Sequence, residues 1–196
     1  MKVYEAATQR RTIRKFKQDP MERALLEKYV DAARLAPTAS NMQPLKFMIV
    51  DKPHKVAAVF EHVKWAAYIA PAGDPKEGER PVAFIVILAD TEIKKAGYEL
   101  DAGAAAQSIF LTAWEDGVGT CWMGAIDRDK IREVLSIPEQ YVINTVVALG
   151  YMAEHPVAED ISTQGVLKDS VKYYQDGQGV LHVPKRTLKE VLVDFM

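Results

Sequence analysis

Two groups of basic side chains could together bind an anion. The first lies near the amino terminus in the segment RRTIRKF, and its polar members are Arg10, Arg11, Thr12 and Arg14. The second is the pair Lys185 and Arg186. Guanidinium groups match the geometry of phosphate, and a nearby helix amino terminus adds a favourable dipole. Either the two groups are separate solvated charges, or they form one anion site.

A polar loop between two prolines could face the edge of a planar heteroaromatic ring. It has the sequence PTASNMQP at residues 37–44, and its polar members are Thr38, Ser40, Asn41 and Gln43. Asparagine and glutamine each carry both a donor and an acceptor, as the edge of such a ring requires. The alternative is a loop that only ends a helix.

A glycine-rich segment, GVGTCWMG at residues 117–124, could lie against a ligand. Gly124 permits close approach of the backbone, and Trp122 and Met123 would be apolar walls. The alternative is a tight turn that enters a core strand.

Nucleophilic and metal chemistry have weaker support. Cys121 is the only cysteine and lies in an apolar stretch, so a buried thiol is favoured over a nucleophile paired with a histidine. The four histidines lack metal-ligand spacing, so we predict no metal site. The phosphate-binding P-loop, the GxSxG motif and the Rossmann GxGxxG motif are absent from the sequence.

Composition limits the class of protein. The chain has 196 residues, of which 48% are hydrophobic and 27% charged, with a net charge of -2. These values predict one domain over residues 1–196 and disfavour a generic binder of nucleic acid or anionic membranes. With no apolar signal segment at its amino terminus, the protein is expected to be cytoplasmic.

Patterning in the first half of the chain predicts helices around a short strand. Asp19, Pro20 and Glu22 favour a helix that begins at Asp19 and ends before Pro37. We expect a strand at residues 47–50, a helix at 53–63 and a loop at 70–81.

Patterning in the second half predicts strands mixed with helices. Residues 82–89 favour a buried strand. A long helix is expected next, from residue 92 or 98 to residue 115, with Gly117 as its C-cap. Further strands are expected at 120–123 and 141–149, with a helix between them that Asp127 caps. A hairpin formed by 171–174 and 180–183 precedes a last helix, for which Thr187 and Glu190 supply a capping box. The order of elements favours an α+β fold with a mixed sheet.

Taken together and in this order, these segments resemble the nitroreductase family of flavin enzymes. RRTIRKF resembles the family's RRSxRxF motif, and APTASNMQP resembles its APSSxNxQPW loop. LDAGAAAQSIFLTAWEDGVGTCWMG is similar to its long central helix and flavin-facing strand. HVPKRTLKEVL resembles its basic phosphate contact and final helix. The resemblance runs from about residue 8 to residue 193.

The resemblance implies a mixed, mainly antiparallel sheet flanked by helices, in an intertwined homodimer with FMN in two sites at the subunit interface. It implies phosphate contacts from Arg10, Arg11, Thr12, Lys185 and Arg186, and a contact from Arg14 to the pyrimidine edge of the flavin. The loop would contribute Pro37, Thr38, Ser40, Asn41 and Gln43, partly from the other subunit. The isoalloxazine would lie along Trp122, Met123 and Gly124.

The resemblance also implies a ping-pong reaction. NADH or NADPH would deliver a hydride to flavin N5 and leave, and a nitroaromatic, quinone or similar acceptor would then take the electrons. Leu45 stands where the family usually has tryptophan, Thr12 and Thr38 replace serines, and residues 62–81 offer no matched flavin contact. A specialised reductase, a non-catalytic flavin store or sensor, and a cysteine hydrolase are the alternatives.

Overall fold

The structure is a computed structural model that describes residues 2–161 and 171–193. The helices of this part of the chain are α1 (Val3–Gln9), α2 (Arg23–Arg34), α3 (Pro53–Phe60), α4 (Glu99–Glu115), α5 (Arg128–Leu135) and α6 (Leu188–Val191). Its strands are β1 (Leu45–Val50), β2 (Ala83–Asp90), β3 (Val118–Met123), β4 (Tyr141–Tyr151), β5 (Val157–Ile161), β6 (Tyr174–Gln175) and β7 (Leu181–Arg186).

The main sheet has four antiparallel strands in the order β1-β2-β4-β3. Every residue of β2 is buried, because this strand is central and both of its faces are covered. Its apolar run without alternation is the pattern that such a strand requires. The predicted α+β class and the buried strand are both confirmed.

Helices cover both faces of this sheet. On one face, α3 and α5 pack through Val56, Val59 and Ile131 against side chains of β2 and β4. On the other face lie α2 and the alanine-rich part of α4. Small side chains let α4 approach the sheet closely, which explains the run of alanines at residues 104–106. In the described residues, no helix is both long and apolar enough to cross a membrane.

The segment that follows α1 runs along the free edge of β3. The Ile13 N–H donates to the Thr120 carbonyl oxygen at 2.9 Å. A β-carbon added to Gly119 would lie 2.6 Å from the Ile13 β-carbon. Glycine is therefore needed at position 119 for this close approach, which fixes the position of the neighbouring arginines.

A second sheet near the carboxyl terminus has the order β5-β7-β6. Strand β7 runs parallel to β5 and forms the predicted hairpin with β6, although β6 is only two residues long. The capping box of Thr187 and Glu190 at the start of α6 is confirmed.

Two helix boundaries differ from the sequence-based expectation. Helix α2 begins at Arg23 rather than at Asp19, because the preceding residues are held in other contacts. The backbone N–H of Lys17 donates to the Tyr151 carbonyl oxygen, and the side-chain amide of Gln18 donates to the carbonyl oxygens of Phe16 and Arg80. Helix α3 ends at Phe60, not at residue 63, because Val63 forms a bridge with Ile126.

Other helix ends agree with the expectation. The Asp127 carboxylate accepts from the Lys130 N–H at 3.1 Å, which confirms the predicted cap of α5. Gly117 directly follows the end cap of α4 and has a φ of 73°, as a glycine that terminates a helix often does.

Candidate functional site

A basic cavity of about 460 Å³ lies between the amino-terminal segment and β7. It brings together the two basic groups that are far apart in the sequence. Its lining residues are Ala7, Thr8, Arg10, Arg11, Thr12, Arg14, Tyr173, Val183 and Lys185. The volume falls within the ~300–1,000 Å³ range of small-molecule and cofactor sites.

The charges in this basic cavity are arranged for an anion. Burial lowers the pKa of Arg10, and the charge of Arg11 lowers it further. Burial also lowers the pKa of Lys185, followed by the charges of Arg11 and Arg10. The Nε atoms of both arginines are buried and have no hydrogen-bond partner among the described residues. A phosphate would satisfy these donors and offset the mutual repulsion of the cations.

Lys185 and Arg186 do not lie in the same environment. Both are exposed, but Lys185 lines the basic cavity, whereas Arg186, which the sequence grouped with it, is not among the lining residues. Consecutive residues of a strand point to opposite faces, and both lie in β7.

Arg14 lies against an aromatic pair that the sequence analysis did not identify. Its guanidinium carbon is 4.9 Å from the centroid of the Tyr173 ring, and Tyr68 lies 5.0 Å from Tyr173 between ring centroids. The Glu154 carboxylate accepts from the backbone N–H groups of Arg14 and Lys15 and holds the backbone at these two residues. Tyr68 belongs to the segment 62–81, so this part of the chain contacts Tyr173, which lines the basic cavity. No motif spacing relates two such distant tyrosines.

Another aromatic pair connects Arg10 with the glycine-rich segment. The Arg10 guanidinium carbon lies 5.4 Å from the Phe110 ring centroid, which is 5.9 Å from that of Trp122. Trp122 is 49% exposed and is available to a ligand.

The side chain of Met123, in contrast, is only 3% exposed and belongs to the core beneath the opposite face of the sheet. The expectation that Met123 forms an apolar wall beside Trp122 is therefore wrong for its side chain, because neighbours on a strand alternate. A β-carbon added to Gly124 would meet nothing within 4 Å, so this position is open as expected.

The polar loop lies at the amino-terminal end of α4 and does not line the basic cavity of its own chain. Ser40, Asn41 and Gln43 are exposed, and all three have positive φ values, of 53°, 52° and 51°. Thr38 accepts from the Gln43 N–H through its hydroxyl oxygen at 3.1 Å. Pro37 is also exposed. The loop thus presents polar groups outward in an uncommon backbone conformation.

The Cys121 thiol is poorly suited to nucleophilic chemistry. It is buried in the core, and burial raises its pKa to about 11, although the charge of Arg14 opposes the rise. A thiol with this pKa stays protonated at neutral pH, so the cysteine-hydrolase alternative loses its nucleophile. Within residues 2–161 and 171–193, no cluster of three metal-ligating side chains occurs.

Comparison with known proteins identifies similar chains. The sequence model described as "Nitroreductase family" matches residues 7–151. A protein of Methanothermobacter thermautotrophicus with the provisional name NADH dehydrogenase/NAD(P)H nitroreductase is 33% identical over 166 residues, covering 82% of this chain and 83% of its own length. The NADH dehydrogenase of Thermus thermophilus is 30% identical over 185 residues, with 76% and 86% covered.

A solved structure has a fold similar to that of this chain. The FMN-dependent nitroreductase of Clostridium difficile R20291 superposes with a TM-score of 0.62 at 28% sequence identity. The superposition covers 77% of this chain and 88% of that one.

Proposed function

The chain belongs to the nitroreductase family, and on this basis we propose that it is an FMN-dependent oxidoreductase. It takes electrons from NADH or NADPH and gives them to a small electron-poor acceptor. The single observation that carries the proposal is the basic cavity, whose Arg10 and Arg11 each have a buried Nε atom without a hydrogen-bond partner and which Lys185 also lines. Residues 1–196 act as one flavin-binding domain.

The residues of the basic cavity fit the phosphate end of FMN. Arg10, Arg11 and Lys185 supply positive charge, and Thr12 adds a hydroxyl donor. Arg14 lines the same cavity, and its guanidinium group would meet the pyrimidine edge of the ring. A cation there stabilises negative charge at that edge.

A bound flavin would supply the redox chemistry, which is the transfer of two electrons from the nicotinamide to a nitroaromatic, quinone or similar acceptor in ping-pong order. The protein contributes orientation and electrostatics. Trp122 offers an exposed aromatic face beside the open backbone at Gly124, against which a planar ring would lie. Since the flavin carries the chemistry, we assign no acid or base among the side chains.

A homodimer would complete the site. The polar loop does not line the basic cavity of its own chain. A flavin bound in the cavity of one protomer would therefore contact, in part, the polar loop of the partner protomer. Val3, Tyr4 and Leu100 are 76%, 81% and 84% exposed. Leu100 shares a face of α4 with Gly103, Ala104 and Gln107, none of which is buried. Such uncovered apolar surface indicates a partner.

Flavin uptake and turnover test this proposal. The purified protein should bind added FMN with a shift in the visible absorption spectrum, and it should oxidise NADH or NADPH when a quinone or nitroaromatic is present. Lys185→Ala should weaken FMN binding, with exposed Lys130→Ala as a matched control. A protein that takes up no FMN would overturn the proposal. Flavin binding without turnover would support a flavin store or sensor instead.

A further inference from the structure

An ion pair outside the basic cavity holds the polar loop. Asp101, in the first turn of α4, is 4% exposed, and its Oδ2 atom accepts from the Lys94 ammonium at 2.8 Å. Its Oδ1 atom accepts from the Ala39 N–H of the loop at 2.9 Å. The Lys94 ammonium also donates to the Gly97 carbonyl oxygen at 2.9 Å. Two charged side chains thus join α4, the turn before it and the loop.

The bond to Ala39 holds the middle of the polar loop. The other hydrogen bonds described for residues 39–43 stay within the loop, from Asn41 to Thr38, from Met42 to Ala39, and between Gln43 and its neighbours. The bond from the Asp90 N–H to the Pro44 carbonyl oxygen fixes only the end of the loop. Asp101 therefore supplies the described external hydrogen bond to the loop interior.

The conformation of the loop needs such support. Three of its residues, Ser40, Asn41 and Gln43, have φ values in the left-handed region although none is glycine. Residues in this region persist when the surrounding structure holds them there. The carboxylate of Asp101 has the required charge, because the hydrogen bond and charge of Lys94 and the bond from Ala39 outweigh burial and lower its pKa.

We propose that Asp101 and Lys94 are positioning residues for flavin binding, which fix the polar loop so that its amide and hydroxyl groups meet the ring edge. This inference rests on the proposed FMN-dependent function. The loop acts on the ring, whereas the basic cavity acts on the phosphate. The two contributions can therefore be separated with riboflavin, which has the ring but lacks the phosphate.

The test compares two double variants in the full-length protein. Asp101→Ala with Lys94→Met removes both charges together, so that no charge is left buried without a partner. It also removes the acceptor for the Ala39 N–H. Asp101→Asn with Lys94→Met removes the same charges but keeps an oxygen that can accept this bond. Glu133→Gln, which breaks the exposed ion pair with Lys130, is the control. Circular dichroism confirms that each variant folds.

We expect the alanine double variant to bind both FMN and riboflavin about tenfold more weakly, since one ordering hydrogen bond is lost. The visible spectrum of its bound flavin should change, and the asparagine double variant should recover most of the affinity. Arg10→Ala should weaken the binding of FMN but not that of riboflavin.

Three results would overturn the inference. In the first, the alanine double variant keeps the wild-type affinity and spectrum. In the second, its FMN affinity falls while riboflavin affinity does not, as for a lesion in the basic cavity. In the third, both double variants weaken binding equally. A wild-type protein that binds no FMN would instead refute the proposed function, and this inference with it.

Discussion

At the scale of single residues, the site depends on which side chains the backbone turns toward the ligand. Trp122 and Met123 are adjacent in β3, yet one is exposed and the other is buried. Lys185 and Arg186 are adjacent in β7 and both are exposed, yet only Lys185 lines the basic cavity. The sequence identified both pairs as candidates, but motif matching does not assign a strand's faces. Knowing the strand boundaries would have separated them, because side chains alternate.

Arg14 should raise the reduction potential of the bound flavin. Replacing it with alanine removes a cation from the cavity wall, which destabilises negative charge on the ring. We expect the potential to fall by on the order of 50 mV, which is the loss of about one charged donor. Spectroelectrochemistry of the FMN-loaded protein measures it, with the half-exposed Arg23→Ala as a control. An unchanged potential would refute this role of Arg14.

The glycines at 119 and 124 should respond differently to alanine. At Gly119 the new β-carbon would lie 2.6 Å from that of Ile13, so we expect a loss of about 1–3 kcal/mol in the free energy of unfolding. At Gly124 nothing lies within 4 Å, so stability should stay the same while FMN affinity falls. Thermal denaturation and FMN titration separate the two effects. Normal FMN affinity in Gly124→Ala would exclude this position from the flavin surface.

At the scale of elements, three-dimensional contacts explain what local pattern did not show. The capping signals at Asp127 and Thr187 were sufficient, because a cap involves neighbours in the sequence. The similar signal at Asp19 was misleading, because Lys17 and Gln18 just before it form hydrogen bonds with distant residues and the helix begins only at Arg23. The sequence pattern also did not identify Asp101 as a site residue, since its proposed role depends on a hydrogen bond to a loop residue 62 positions away.

The carboxy-terminal sheet, which carries Lys185, should depend on the charge of His182. The ring nitrogens of His182 contact the carboxylates of Glu159 in β5 and of Asp176 after β6, and its ring stacks on Tyr174. Hydrogen bonds to Glu159 and then Asp176 raise the pKa of His182 above 6.5. The stabilisation is therefore complete below the ordinary pKa of histidine and is lost as the pH rises through the raised value.

Thermal denaturation across this pH range tests the contribution of His182. The difference in melting temperature between wild type and His182→Gln should be largest on the acidic side of neutrality and should shrink as the pH rises. His54→Gln, at an exposed position of α3, is the control substitution. A difference between wild type and His182→Gln that is independent of pH would show that the charge of His182 is not involved.

At the scale of the whole molecule, the chain leaves its central helix partly uncovered. Leu100, near the start of α4, is 84% exposed, and Tyr4 of α1 is 81% exposed. A second protomer of the proposed homodimer would cover this face of α4. A single chain therefore forms a folding unit but only part of the proposed functional unit.

Leu100→Glu should convert a dimer into a monomer and weaken FMN binding, because a charge on this face opposes close packing of a second chain. Ala57→Glu adds the same charge to an exposed position of α3, against the opposite face of the sheet, and should leave both properties unchanged. Size-exclusion chromatography with light scattering measures the mass. A wild-type monomer of 21.9 kDa that binds FMN would contradict the shared site.

We propose that this chain holds FMN in the basic cavity and uses it to transfer electrons. Anaerobic addition of NADH, and separately of NADPH, to the FMN-loaded protein tests it most directly. We predict that at least one of them bleaches the visible absorbance of the flavin, and that a quinone or nitroaromatic added afterwards restores it. A bound flavin that neither nucleotide bleaches would contradict the proposed electron transfer.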